Sequence, residues 1–366
     1  MYIYQQPAWP AFIWRHERLE PLLGAVRHQQ GRVLGHMEAL GFSLQAEAFL
    51  QTLTLEALKS SEIEGELLPS EQVRSSLARR LGLDVAGLVP AERRVEGIVD
   101  MLLDATQGFA QPLTAERLCS WQAALFPAGR SSLQRIQVGA WRTGAKGPMQ
   151  VVSGPLGREQ VHFEAPAAEY VAAEMTQFLA WFNADQPLDA VLKAGIAHLW
   201  FVTIHPFEDG NGRVARALTE LQLARADASA QRFYSLSAQI RLERTAYYAQ
   251  LEAAQKGDLD ITNWLDWFLA CLSRALRATE QTLANVLTKA RFWEQHAAFP
   301  FNARQQRLLN QLLDGFEGKL TSSKWATIGK CSQDTATRDI QALLDQNILV
   351  KEAAGGRSTS YRLTVG

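Results

Sequence analysis

Residues 205–216 read His-Pro-Phe-Glu-Asp-Gly-Asn-Gly-Arg-Val-Ala-Arg. An apolar stretch of helical period, 189–204, runs into His205, and a second, 213–226, begins at Arg213. The turn between them gathers parts with one chemistry in common. The free N–H groups of Gly210, Asn211 and Gly212 face outward at a helix N-terminus, where anions bind well. Arg213 and Arg216 are three residues apart, on one helical face, and add fixed positive charge. Asp209 would repel a bare phosphate, but it suits Mg²⁺ bridging phosphate oxygens. His205, with an ordinary pKa near 6.5, supplies a base at neutral pH. Each residue alone reads as a turn or a helix end; together they read as equipment for phosphoryl or nucleotidyl transfer.

The run resembles the signature of Fic proteins, His-x-Phe-x-Asp/Glu-Gly-Asn-Gly-Arg-x-x-Arg, and agrees with it at every fixed position. The resemblance implies a mainly α fold, in which the motif joins two helices of a compact core and AMP passes from ATP to a Ser, Thr or Tyr of a protein. On this chain it makes His205 the base, Phe207 a core anchor and Asp209 the Mg²⁺ ligand. Gly210, Asn211 and Gly212 then stabilise phosphate charge, with Arg213 and Arg216 on the β- and γ-phosphates.

Moving outward, helices are expected over 15–40, 44–64, 91–107, 114–126, 166–183, 241–256, 260–277 and 279–297. Residues 148–163 break the pattern with two β-type runs around Gly-Pro-Leu-Gly, a hairpin signal. The family carries a hairpin flap at this distance upstream that aligns the target peptide by strand addition, which puts Val151 and Val152 against nucleotide or target. Downstream, Tyr247-Tyr248, followed by Gln255, resembles the segment that covers the adenine.

Residues 60–65 read Ser-Ser-Glu-Ile-Glu-Gly. Gly65 looks like a helix terminator, leaving Glu64 in the last turn, where the helix dipole disfavours a carboxylate and a cation elsewhere compensates. Ser60, four residues earlier on the same face, can hydrogen-bond that carboxylate. The stretch resembles the inhibitory motif Ser/Thr-x-x-x-Glu-Gly/Asn of one class of Fic proteins, which implies that Glu64 pairs with Arg216 and blocks the γ-phosphate. The same carboxylate would position water for the reverse reaction, removal of AMP from a modified protein.

Three regions are expected: 1–88, N-terminal and helical, with the inhibitory motif; 89–290, the catalytic core; and 298–366, reached through a hinge at 297–300. The last reads as a winged helix-turn-helix: helical stretches at 324–330 and 333–345, then a hairpin around Gly355-Gly356. Gln333 to Asp339 would open its recognition helix, with Arg357 and Arg362 in the wing. Nine Lys/Arg against six Asp/Glu over 301–366 make it only mildly basic, so DNA and protein remain alternative partners, and a regulator acting through this region is an alternative to the enzyme.

Length and composition agree with that organisation. The 366 residues allow two or three domains, and 47% hydrophobic with 20% charged residues is an ordinary globular balance. A net charge of −1 leaves no global attraction to nucleic acid or anionic membrane. Cys119, Cys271 and Cys331 lie far apart, which fits a reducing compartment. There is no basic, apolar leader and no membrane-length apolar run, so the expected location is the cytoplasm. The implied partners are a protein substrate, with the chain itself one candidate, and a second copy in a homodimer.

Overall fold

The computed structural model describes residues 1–38, 42–83, 87–131, 134–154, 158, 160–313, 316, 318–352 and 359–364, without the side chains of 42, 43, 280–287 and 290. The fold is mainly helical. Two compact units, Met1–Glu280 and Gln281–Gly366, divide within one long helix.

The first unit opens with α1 (His16–Glu38), α2 (Phe42–Ile63) and α3 (Ser70–Arg80), followed by α4 (Arg93–Gln107) and α5 (Ala115–Leu125). Two short antiparallel strands, β1 (Arg130–Ser131) and β2 (Gln134–Arg135), precede a hairpin of β3 (Gln150–Ser153) and β4 (Gln160–Glu164). Then come α6 (Val171–Asn183), α7 (Ala190–Ile204), α8 (Asn211–Asp227), α9 (Leu236–Leu242), α10 (Arg244–Gln255) and α11 (Thr262–Gln295).

The core is built around α7. Every residue from Val191 to Ile204 is buried, including Lys193 and His198, as expected of a helix that is apolar all round. Asp189 caps its start, accepting from Val191 N–H at 2.7 Å, and is held there by Arg27. Helix α8 packs along α7, and Phe207 in the intervening loop is fully buried against Phe201. Among the described residues, no helix is long and apolar enough to cross a membrane.

Several expected boundaries move. The stretch 241–256 splits into α9 and α10 at Glu243, whereas 260–277 and 279–297 are one helix, because Ala278 between them carries no breaker. Helix α3 escapes a periodicity search because Val73 and Leu77, both fully buried, give it little apolar signal among polar neighbours. The expected hairpin at 148–163 appears as β3 and β4, with Val152 opposite Val161 and a register shift between Val151 and Val152; residues 155–157 of its turn lie outside the described residues.

The second unit contains α12 (Ala303–Leu313), β5 (Leu320–Thr321), α13 (Ser322–Gly329), α14 (Gln333–Asp345), β6 (Leu349–Lys351) and β7 (Ser360–Leu363). Its three strands form an antiparallel sheet in the order β5-β7-β6, over a core of Leu308, Leu309, Trp325, Ile340 and Leu343. Thr321 and Ser332 cap α13 and α14. Asp339, expected on a groove-reading surface, is instead buried and bonded by Arg304 and Asn302. Gly355, Gly356 and Arg357 lie outside the described residues.

Candidate active site

His205 ends α7 in the left-handed region, φ 53°, ψ 57°, and so turns the chain sharply towards α8. Its Nδ1 lies 3.2 Å from the Val202 carbonyl. A carbonyl only accepts, so Nδ1 carries the proton and Nε2 keeps its lone pair. Burial is the main cause that pulls the imidazole down to about 4, and Arg142 adds to it. At neutral pH the ring is therefore uncharged and basic.

The loop that follows is held by its own side chains. Asn211 accepts from Phe207 N–H and donates to Phe207 C=O, both at 2.9 Å, which spends its amide on the loop. Only its backbone N–H is left open to an anion. Helix α8 starts at Asn211, two residues earlier than the periodicity predicts, so the N–H groups of Asn211, Gly212 and Arg213 form its open first turn. Asp209 accepts from Ser131 Oγ and, at 2.6 Å, from Gly210 N–H. No group of three metal-ligating side chains is found among the described residues. A single carboxylate beside open backbone N–H groups fits Mg²⁺, which keeps waters and takes phosphate oxygens as ligands.

The cradle of α8 faces a carboxylate of its own chain. A Cβ built on Gly212 would fall 2.2 Å from Glu64 Oε1, so that oxygen rests over the first turn of α8, where only glycine leaves room. Glu64 Oε1 accepts from Arg216 Nη2 at 2.8 Å. Arg216 also donates to Ser60 Oγ at 2.9 Å and Ser60 O at 2.8 Å, so Glu64 meets the arginine as expected, whereas the Ser60 hydroxyl, expected on the carboxylate, accepts from the arginine instead. Burial raises the Glu64 pKa, but Arg216, Arg213 and Arg244 outweigh it and hold the carboxyl below its ordinary value. The compensation expected for Glu64 at the end of α2 thus comes from Arg216 and from the positive end of another helix.

The turn that delivers Glu64 also delivers a second acid. Gly65 N–H bonds Glu62 O, and Glu66 N–H bonds Ser61 O, the paired bonds of a Schellman end with Gly65 at φ +83°. Glu66 is thereby aimed at Arg213, with Nη1 to Oε2 at 2.7 Å, and the guanidinium lies over the Phe126 ring. Sequence reasoning missed this contact; Glu66 looks like one more solvated acid. Two buried donors on these arginines, Arg213 Nε and Arg216 Nη1, have no hydrogen-bond partner among the described residues.

The segment before the hairpin, also unread in the sequence, runs along the loop from the other side. Ser131 reaches Asp209, Gln137 N–H reaches Glu208, Trp141 packs on Phe207 with ring centroids 5.0 Å apart, and Arg142 bonds His205 O. Lys146 pairs with Glu208. None of these residues has a spacing that marks it, because the pairing is tertiary.

Two predicted site residues sit elsewhere than expected. Tyr247 is buried, its ring tilted against Trp267 and its hydroxyl 2.8 Å from His198 Nε2, so it packs within the core and offers no face to a base. Tyr248 is half-buried and reaches Glu64 Oε2 at 3.5 Å. Gln255 turns towards the end of α7, towards Val202 O and Thr203 Oγ1. In the hairpin, Val151 is half-buried and Val152 exposed, and His162 ties β4 to Ser153 and Glu252.

Comparison with known proteins bears on this geometry. Residues 112–223 match the Fic/DOC family, and residues 2–83 match a domain of unknown function, DUF4172. The chain is 36% identical over 114 residues to the protein adenylyltransferase fic-1 of Caenorhabditis briggsae, covering 30% of this chain and 21% of that protein. It is 33% identical over 131 residues to the protein adenylyltransferase Fic of Culex quinquefasciatus, covering 34% and 25%. The chain thus spans about a fifth to a quarter of the length of these curated relatives. Among solved structures, a Fic family protein from Desulfovibrio desulfuricans G20 aligns at a TM-score of 0.53 and 21% identity, over 94% of this chain and 96% of that one; this is a likeness of fold.

Proposed function

We propose that the Fic/DOC domain of this chain, residues 112–223, is the centre of a protein adenylyltransferase that uses ATP and Mg²⁺ and is restrained by its own α2. The observation that carries this reading is the convergence at the first turn of α8. Open backbone donors and Arg216 Nη1, which has no hydrogen-bond partner among the described residues, lie there, and the loop leading into it carries the neutral imidazole of His205 and the carboxylate of Asp209. The β- and γ-phosphates would lie on the N–H groups of Gly212 and Arg213 and on the two arginines. Mg²⁺, held by Asp209 and phosphate oxygens, would neutralise charge on the triphosphate.

His205 Nε2 would take the proton of the target hydroxyl as its oxygen attacks the α-phosphorus. The bond to the β-phosphate bridging oxygen breaks, and pyrophosphate leaves with the electron pair. The β3–β4 hairpin would hold the target strand beside this centre. ATP labelled at the α-phosphorus should then mark protein, whereas ATP labelled at the γ-phosphorus should not. Incorporation of the γ-label would make the enzyme a phosphotransferase and defeat the proposal.

The restraint is read as Glu64 standing where the γ-phosphate belongs, with Glu66 holding Arg213 away from it. Glu66→Gln removes that ion pair and keeps the side-chain volume. It should tighten ATP binding by roughly three- to tenfold, a coupling of about 1 kcal/mol, in calorimetric titration. An unchanged Kd would make Glu66 a bystander.

For Gln281–Gly366 we favour a winged helix that docks protein. The order α12, β5, α13, α14, β6, β7 supports the winged-helix reading. The exposed face of α14, Gln333, Asp334, Thr337, Arg338, Gln341 and Asp345, sets two acids against one cation, a weak basis for gripping phosphates.

A further inference from the structure

Arg142 is 96% buried and, among the described residues, pairs with no carboxylate. It spends its donors on backbone carbonyls: Nε on His205 O at 2.8 Å, and Nη2 on Ile204 O at 3.3 Å and Pro166 O at 2.5 Å. Its own N–H bonds Pro206 O at 2.8 Å. Two of these acceptors, Ile204 O and His205 O, belong to the end of α7, where helix geometry leaves carbonyls without partners. Pro206 O follows immediately. Pro166 O lies two residues beyond the end of β4, at the exit of the hairpin.

One guanidinium therefore grips the backbone of the base and the root of the target-facing hairpin at once. We infer that Arg142 is a positioning residue for the transfer reaction: it fixes His205 in its left-handed turn and sets the distance from that imidazole to the strand presented by the hairpin. This inference rests on the adenylyltransferase reading. The planar fork matters to it, because three carbonyls from two segments are met by Nε and Nη2 along one edge of the guanidinium, which an ammonium does not reproduce.

Arg142 also acts on the chemistry through charge. The charged groups facing His205 are Arg142, which disfavours the imidazolium, and Asp209 and Glu64, which favour it. Losing the cation should shift the acid limb of the pH profile upwards from its position in the parent. A residue that only braces the fold would leave that limb in place.

The test uses the full chain in the Glu64→Gly background, with transfer to a protein substrate or to the chain itself as readout. Absence of transfer from that parent would count against the adenylyltransferase reading and is read before any Arg142 variant. Given an active parent, Arg142→Lys should lower kcat at least tenfold, with the ATP KM within about twofold and the acid limb unmoved, since a cation remains. A displacement near 1 Å at a reacting centre is enough for such a loss. Arg142→Met should lower kcat as far and also move the acid limb upwards by at least half a pH unit.

Arg142 lines a cavity of about 950 Å³ shared with Tyr4, Glu164 and Tyr170, so added guanidinium has a route to the vacated site. It should restore part of the Arg142→Met rate and return the limb towards that of the parent. Parent-like kcat in both variants overturns the inference. So does a loss that merely follows the folded fraction, measured by circular dichroism, with the acid limb fixed.

Discussion

Glu64→Gly is expected to raise AMP incorporation by roughly ten- to a hundredfold, the range of coupling free energies between about 1 and 3 kcal/mol. The substitution removes the oxygen that rests over Gly212 and accepts from Arg216 Nη2, and so opens the first turn of α8 to a phosphate. It leaves the arginine held, because Ser60 still takes Nε and Nη2 through its hydroxyl and its carbonyl. The released guanidinium should therefore stay aimed at the cradle. Glu64→Gln separates charge from bulk: it keeps an oxygen near Gly212 but removes the ion pair, and an intermediate rate is expected. Intact-mass analysis after exposure to Mg-ATP reads the result, with each transfer adding one AMP. If incorporation by Glu64→Gly equals that of the unaltered chain while ATP binding is intact, Glu64 is not a brake.

His205→Ala in the Glu64→Gly background should lose roughly two to four orders of magnitude in transfer rate, the usual worth of a positioned general base. ATP affinity should stay within about twofold, because the phosphates are assigned to α8 and its arginines and the ring makes no contact with them. Position 205 lies in the left-handed region, φ 53°, where alanine itself is strained by about 1–2 kcal/mol. Asparagine tolerates that region better, so His205→Asn checks whether the loss comes from the missing base or from the bent backbone. Both variants should be inactive and folded. An asparagine variant with near-parent rate would move the role of base to another group.

Much of the site was legible because its chemistry is local. His205, Phe207, Asp209 and Arg213 fall within nine residues, and a helix–turn–helix leaves little freedom in how such a run is displayed. The pairing of Glu64 with Arg216, 152 residues apart, came through only by resemblance to a motif. Its neighbour Glu66 did not, since an acid after a glycine gives no hint of its partner until the Schellman turn of Gly65 aims it. Tyr247 was misplaced over the nucleotide for a related reason. Spacing cannot tell which of two adjacent tyrosines on α10 faces inward, and the burial of the first followed from His198 and Trp267 on other helices.

By itself the sequence determined the helical class, through apolar positions at three- and four-residue spacing. It also determined the loop from His205 to Arg216, whose glycines and short polar residues dictate their own backbone. Only the tertiary structure decided what faces that loop: Glu64 in the cradle of α8, Ser131 on Asp209, and Arg142 beneath His205. The physical reason is that helix period and turn conformation are set by neighbours along the chain. Which charge meets which carbonyl is set by the packing of helices that the sequence keeps far apart.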